Sequence, residues 1–308
     1  MSEATGSRFV SGFVSILGRP NSGKSTLLNK LTGMKLAIVA PKPQTTRTSI
    51  QGVMNAPGAQ IVFVDTPGIH KPDSLFNRRM LDTVRAALDQ RDLLLYVVDA
   101  TRRASEEDRE AVALVAGART PALLLLNKID ALKDKRALLE LIEKYRSVYE
   151  FAAYLPLSAL TGEGLETLRA ELVKRLPEGP AYFPDDYITD QPERFMAAEL
   201  IREKILLAAR EEVPHSVAVA VEDWKETERL TRISAAIYVE RDSQKGILIG
   251  AGGSMLKKIG TEARLEMERL FGRKIFLELF VKVRPKWRED PKFLDAVDWR
   301  SMTGREVK

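Results

Sequence analysis

Eight consecutive residues, Gly18-Arg19-Pro20-Asn21-Ser22-Gly23-Lys24-Ser25, fit the pattern GxxxxGK[ST] in full. They lie between a short apolar run, residues 13–17, and a segment that reads as a helix, residues 26–31. That setting gives the pattern its chemistry: the backbone N–H groups of such a loop, and of the helix N-terminus behind it, converge on phosphate. Lys24 would neutralise charge between the outer phosphates of a nucleotide, and the Ser25 hydroxyl would ligate Mg²⁺. Asn21, Ser22, Gly23, Lys24, Ser25 and Thr26 are thus the expected phosphate cradle. Asp65-Thr66-Pro67-Gly68 follows the next buried run, residues 61–64. An aspartate there reaches the metal through water, and the Gly68 N–H meets a terminal phosphate.

Asn127-Lys128-Ile129-Asp130 ends a further apolar run, residues 122–126. Asp130 would accept two hydrogen bonds from the guanine N1–H and exocyclic amine, a donor pair that adenine lacks. Lys128 would lay its stem along the base, and Asn127 would tie loops together. Ser158-Ala159, after the run 153–157, would offer a backbone N–H to the guanine oxygen. Between the phosphate loop and residue 61 lies Pro43-Gln44-Thr45-Thr46-Arg47, where a threonine could close over Mg²⁺ and the terminal phosphate. Thr46 is the expected one, with Thr45 and Thr48 as alternatives. Lys24, Thr46 and Gly68 are the candidate catalytic contacts; Ser25, Thr46 and Asp65 are the candidate metal ligands.

These residues need elements to hold them. Apolar runs at 13–17, 61–64, 93–98, 122–126 and 153–157 alternate with helical stretches at 78–88, 106–115, 135–149 and 165–174. Such alternation predicts an α/β domain whose mostly parallel sheet is covered by helices on both faces, with polar residues at the strand ends where ligands bind. Residues 176–186 hold three prolines and a glycine and read as a connection. Beyond it the pattern changes: a helix at 192–212, alternating strands at 217–223, 232–240 and 275–283, a glycine turn after the apolar run 247–249, and a helix at 254–270. This half reads as a smaller α+β domain, and the tail from Pro285, with Lys286, Trp287 and Arg288, as irregular. The expected division is 1–178, a connection at 179–190, and 191–308.

The chain has 308 residues, enough for two domains at about 150 residues each. With no cysteine it has no disulfide or thiolate metal site, and with two histidines, His70 and His215, no histidine-rich zinc site. Residues 1–12 contain acid and lack a long apolar stretch, so a signal peptide is not expected. No run approaches the roughly 18 apolar residues of a spanning helix, and the expectation is a cytoplasmic protein or one peripherally attached to membrane. A net charge of +5 favours an anionic partner, nucleic acid or a lipid surface.

The phosphate loop, the aspartate turn and NKID together resemble the translation-factor-like branch of small GTPases, across about residues 8–177. In Ras-like members the residue after the DxxG glycine is a glutamine that orients water; here it is Ile69, and hydrolysis is expected to be slow until another group or ion helps. Asn21 resembles members that use a potassium ion beside the phosphates. Gly250-Ala251-Gly252-Gly253, followed by Lys257 and Lys258, resembles the GxxG loop of a type II KH domain, which grips the backbone of single-stranded RNA. With GRPNSGKS, PQTTR, DTPGIH, NKID, QKGILIGAGGS and the strand ending FVKVR, nearly the whole chain resembles the Era family of bacterial GTPases. That resemblance implies GTP or GDP with Mg²⁺ as ligands. As partners it implies the 3′ end region of small-subunit ribosomal RNA and the small subunit itself, whose assembly the protein would assist. DNA is not expected as a partner, and the chain is expected to be a monomer. Ala251 departs from the family's usual lysine, so RNA contact is expected to lean on Lys257, Lys258 or the cluster Lys282, Arg284, Lys286 and Arg288. Those charges read equally as a solvated face. The alternative function is a nucleotide-regulated module, bound to RNA or a membrane surface, with negligible turnover.

Overall fold

The computed structural model describes residues 9–69, 74–209 and 213–298. His70, residues 1–8 and the tail beyond 298 lie outside them. The described residues form two compact units.

The first unit holds a six-stranded sheet in the order β2-β3-β1-β4-β5-β6. Its strands are β1 (Val10–Leu17), β2 (Ile50–Ala56), β3 (Ala59–Asp65), β4 (Leu93–Asp99), β5 (Ala122–Asn127) and β6 (Ala153–Pro156). All neighbours pair in parallel except β2 and β3. The central strands are buried on both faces, and β4 and β5 are continuous Leu and Val runs, the composition a doubly covered parallel sheet requires. Helices α1 (Lys24–Thr32), α2 (Leu75–Ala86), α3 (Glu106–Gly117), α4 (Ala137–Arg146) and α5 (Leu165–Arg175) follow the strands. One apolar cluster sets Leu27, Leu28 and Leu168 against one sheet face. A second sets Val112, Val115 and Leu141 against the other.

Strand β2 departs from the expected pattern, since residues 50–56 had not been read as a strand. Gln51, Gly52 and Asn55 break its apolar alternation, and antiparallel pairing to β3 forms it instead. The proline-rich connection is not a loose tether. Its backbone runs along this edge: Val53 N–H donates to Ile188 O (2.8 Å), Asn55 Nδ2 to Asp185 O (2.7 Å) and Thr189 Oγ1 to Gln51 O (2.7 Å). Gln60, fully buried, accepts from Tyr182 N–H and Phe183 N–H and donates to Phe183 O.

The second unit comprises residues 191–308 together with 38–45 and 72–79. Its strands β7 (Ala218–Glu226), β8 (Thr231–Val239) and β9 (Ile275–Val283) form a sheet in that order, β7–β8 antiparallel and β8–β9 parallel. Helices α6 (Glu193–Ala208), α7 (Asp242–Ile249) and α8 (Ser254–Phe271) cover one face through Ile201, Ile205, Leu248, Ile259, Ala263 and Met267. The apolar run 247–249, left unassigned by its pattern, is the end of helix α7, whose start is fastened by Gln244 Oε1 accepting from Glu240 N–H (2.9 Å) and Arg241 N–H (3.1 Å). As far as residue 298 the tail is not irregular: Trp287 is fully buried, donates from Nε1 to Ser216 O (3.0 Å), and meets Phe293 of helix α9 (Pro291–Val297) edge-on. Asp290 caps that helix by accepting from Phe293 N–H.

Candidate nucleotide site and GxxG loop

The phosphate loop turns out of β1 and enters α1 at Lys24, so the first N–H groups of α1 have no partner within the helix. Lys24 is buried and its Nζ donates to Arg19 O (3.2 Å). Ser25 begins a cluster of hydroxyl and carboxylate oxygens. Its Oγ donates to Asp65 Oδ2 at 2.7 Å and lies 2.7 Å from Thr46 Oγ1, and Thr46 Oγ1 lies 3.4 Å from the same carboxylate oxygen. Of the three threonines considered, only Thr46 makes this contact. Thr45 Oγ1 donates to Lys42 O (2.6 Å), and Thr48 Oγ1 is buried with no hydrogen-bond partner among the described residues.

Asp65 is fully buried, and its Oδ1 has no hydrogen-bond partner among the described residues. An unpartnered carboxylate oxygen beside two hydroxyls is a hard-oxygen set, and it suits Mg²⁺. Burial pushes the Asp65 carboxyl up from its ordinary range, against the pull of Lys24 and the hydrogen bonds from Ser25 and Thr46. Burial likewise pushes the Lys24 ammonium down, against the pull of Asp65. Each charge sits where a counter-charged ligand would restore it.

The aspartate turn is pressed onto the phosphate loop. A Cβ on Gly68 would fall 2.7 Å from Pro20 N and 2.8 Å from Pro20 Cα, so no side chain fits unless backbone moves. Ile69 N–H donates to Gly18 O (3.1 Å), and the Ile69 side chain is buried in the second core cluster. It points into packing and carries no polar atom for water.

Asn127 ends β5 and joins three loops as expected. Its Nδ2 donates to Ser22 O (2.8 Å) and its Oδ1 accepts from Ala159 N–H (2.9 Å). Both N–H groups of the Ser158-Ala159 pair, from which the donor to the guanine oxygen was expected, are engaged here: Ala159 N–H with Asn127 and Ser158 N–H with Glu163 O (2.9 Å). Lys128 has left-handed backbone (φ 69°), and its Nζ pairs with Asp99 at 2.7 Å. Against the effect of its burial, the hydrogen bond from Lys128 and those from Thr101 hold the Asp99 carboxyl below its ordinary value. Asp130 stands exposed on the following 3₁₀ turn, Ile129–Ala131. Asn21 is exposed at the outside of the phosphate loop with φ 64°.

In the second unit the GxxG loop links α7 to α8. Gly252 (φ 57°) and Gly253 (φ 80°) have left-handed backbone that side chains resist, and a Cβ at either would meet nothing within 4 Å. The loop is thus an open stretch of main chain ahead of a helix N-terminus, a shape that admits a phosphate backbone. Lys257 and Lys258 are exposed one turn into α8, with Lys258 4.0 Å from Glu262. Lys282 and Arg284 are differently placed. Lys282 pairs with Glu222 (2.5 Å) and Arg284 with Asp290 (2.7 Å), Arg284 also lying 4.5 Å over the Phe293 ring.

Comparison with known proteins agrees with this arrangement. The family model for a 50S ribosome-binding GTPase matches residues 13–128, and that for a KH domain matches 212–288. GTPase Era of Geobacter metallireducens is 53% identical over 293 residues, covering 94% of this chain and 98% of the relative. GTPase Era of Syntrophus aciditrophicus is 54% identical over 288 residues, 93% of this chain and 94% of the relative. The chain belongs to the Era family of GTPases. Two solved Era structures share its fold, each at 39% identity and covering 94% of this chain and 99% of the other. One is an Aquifex aeolicus Era variant bound to GDP·AlF4⁻ (TM-score 0.91); the other is Era in complex with MgGDPNP and nucleotides 1506–1542 of 16S ribosomal RNA (TM-score 0.92). The α/β GTPase fold followed by a KH domain is therefore established for this chain.

One tie of the phosphate loop was not foreseen from sequence. Arg19 pairs with Asp108 (3.3 Å) and with Glu107 at the start of α3, tying the phosphate loop to that helix. Asp108 is itself fixed, accepting from Ser105 N–H and Oγ at 2.8 Å each. No local pattern marks Arg19, because its partners lie nearly ninety residues away.

Proposed function

We propose that this Era-family chain is a guanine-nucleotide switch that hydrolyses GTP and whose KH domain binds the 3′ end region of small-subunit ribosomal RNA during assembly of that subunit. The observation that carries the hydrolytic half is the meeting of Ser25, Thr46 and Asp65 oxygens beside buried Lys24. Lys24 neutralises charge on the outer phosphates. Ser25 and Thr46 would hold Mg²⁺ directly and Asp65 would hold it through water. That ion would supply positive charge against the charge that develops on the phosphates. The Gly68 N–H meets the terminal phosphate, and Thr46 senses whether that phosphate is present. In this reading residues 1–178 are the hydrolysing module, 179–190 the connection, and 191–308 the RNA-binding module. A ribosomal RNA partner supports a cytoplasmic location.

Ile69 leaves the attacking water without a side chain to orient it, so the reaction leans on charge stabilisation. The exposed Asn21, on left-handed backbone beside the phosphate cradle, supports a potassium ion as part of that charge. Turnover is expected to rise about tenfold or more on replacing Na⁺ with K⁺ at constant ionic strength, the worth of about 1.4 kcal/mol of transition-state stabilisation. Equal rates in the two buffers would remove potassium from the mechanism.

The RNA contact is assigned to Gly250, Ala251, Gly252, Gly253, Lys257 and Lys258. Lys282 and Arg284 must first release Glu222 and Asp290 to reach phosphate. Replacing the open loop glycines with acid, Gly252→Asp with Gly253→Asp, is expected to weaken binding of a single-stranded 16S 3′-end oligonucleotide by at least about tenfold, through phosphate repulsion and strained left-handed backbone. Binding isotherms at one fixed salt concentration check this. Unchanged affinity with an unchanged melting temperature would move the RNA site elsewhere.

A further inference from the structure

Two adjacent side chains on α6 hold a segment far from them in sequence. Arg202 is 2% exposed, as is Glu203. Burying a guanidinium costs much unless its donors are used. Here Glu199 takes part of them, accepting from Arg202 Nε (2.7 Å) and Nη2 (2.6 Å) and neutralising the charge. The rest of the fork faces main chain: Nη2 donates to Thr45 O and Nη1 to Gln44 O (3.4 Å). At the other end of the same segment, Glu203 Oε1 accepts from Val39 N–H (2.8 Å). Residues 38–45 belong to the second unit together with α6. Within that segment Gln44 has left-handed backbone (φ 59°), a conformation a non-glycine residue keeps only when its surroundings impose it. The next peptide bond carries Thr46, whose hydroxyl meets Ser25 and Asp65.

We infer that Arg202, with Glu203 beside it, is a positioning residue for the Thr46 hydroxyl and so for recognition of the triphosphate. The inference rests on the reading of Thr46 given above. A methionine would fill much of the same space. What an apolar side chain cannot do is donate to two successive carbonyls and fix the direction in which the chain enters residue 46. The Thr45 side chain reinforces that direction, since its hydroxyl turns back on Lys42 O and leaves Thr46 alone to face the metal-type cluster.

The full-length protein tests this with fluorescent GDP and a fluorescent non-hydrolysable GTP analogue, each with Mg²⁺, alongside single-turnover hydrolysis. Arg202→Met is expected to weaken the triphosphate analogue and slow hydrolysis by about tenfold or more while moving GDP affinity less than about twofold, as loss of hydrogen bonds from a charged donor predicts. Glu203→Ala should reproduce the selective loss. Arg202→Lys, which keeps the charge beside Glu199 but not the fork, should show a smaller loss of the same kind. It keeps the test open should Arg202→Met not fold. A merely structural role would lower GDP and triphosphate affinity together and in step with the melting temperature, and that result would overturn the inference. So would unchanged discrimination in folded variants. Thr46→Ala separates the two levels: if it leaves triphosphate discrimination intact, the threonine assignment has failed; if it abolishes discrimination while Arg202→Met does not, only the role of Arg202 has failed.

Discussion

Asp130→Asn should exchange the base preference of this protein from guanine to xanthine. The carboxylate presents two acceptors to the two donors on the guanine edge, N1–H and the exocyclic amine. An asparagine presents one acceptor and one donor, so an amide N–H is turned toward an amine that can only donate. One charge-assisted hydrogen bond is lost and a repulsive contact replaces it, which together cost about 3–4 kcal/mol, or a factor of several hundred in GTP affinity. Xanthine carries a carbonyl where guanine carries the amine and keeps the N1–H, so it matches the asparagine. The surroundings allow the exchange without loss of the fold. Asp130 is exposed on its turn, Lys128 is fixed by Asp99 (2.7 Å), and Asn127 is fixed by Ser22 O and the Ala159 N–H. Competition of GTP and XTP against a fluorescent nucleotide measures the effect. If the variant keeps its GTP affinity, Asp130 does not read the base.

Much of this site was legible because a parallel sheet writes its own signature. The runs 93–98 and 122–126 are apolar without interruption, and the residue at which each becomes polar, Asp99 or Asn127, stands at the edge where ligands bind. The order of the phosphate loop, the aspartate turn and NKID then gave Ser25, Asp65 and Asn127 their places. What was not legible depends on partners distant in sequence. Strand β2 is polar in places and forms because β3 pairs with it. Helix α7 contains Gly246 and ends in an apolar run that imitates a strand. The tail is dense in charge and proline, yet Trp287 is buried because Ser216, Phe293 and Phe76 surround it. Lys282 and Arg284 read from sequence as free cations, but Glu222 and Asp290 hold them. The hydrogen bond from Lys282 is the leading cause of the lowered Glu222 carboxyl, and that from Arg284 of the lowered Asp290 carboxyl. Gln60, Arg19 and Arg202 likewise act across 70 residues or more. Period and spacing report what a residue faces locally, and these residues face something else.

The second large effect concerns the buried pair Lys24 and Asp65, and it separates stability from activity. Burial drives both groups toward their neutral forms, and each is the other's opposing charge. Such a pair gives the nucleotide-free protein little net stability, because desolvation offsets the attraction. Removing one partner is worse than removing both. Lys24→Met leaves Asp65 buried without its cation, and Asp65→Asn leaves Lys24 buried without its anion. Each single variant is expected to be destabilised by about 3–5 kcal/mol without nucleotide, on the scale of an uncompensated buried charge. The double variant, Lys24→Met with Asp65→Asn, has no buried charge here and should recover to the wild-type stability or above it. In function the order reverses. Every one of the three variants loses the Lys24 charge proposed to meet the phosphates, the Asp65 charge proposed to hold Mg²⁺ through water, or both, so hydrolysis should fall by at least about a thousandfold in each, and worst in the double. Denaturant titration of the nucleotide-free proteins gives the coupling between the two sites as a double-mutant cycle. Additive destabilisation would mean that the two charges do not sense one another. Coupling with retained hydrolysis would mean that the phosphates are held elsewhere. The expected combination, recovered stability with lost turnover, is the mark of a site whose charges are kept for a ligand and not for the fold.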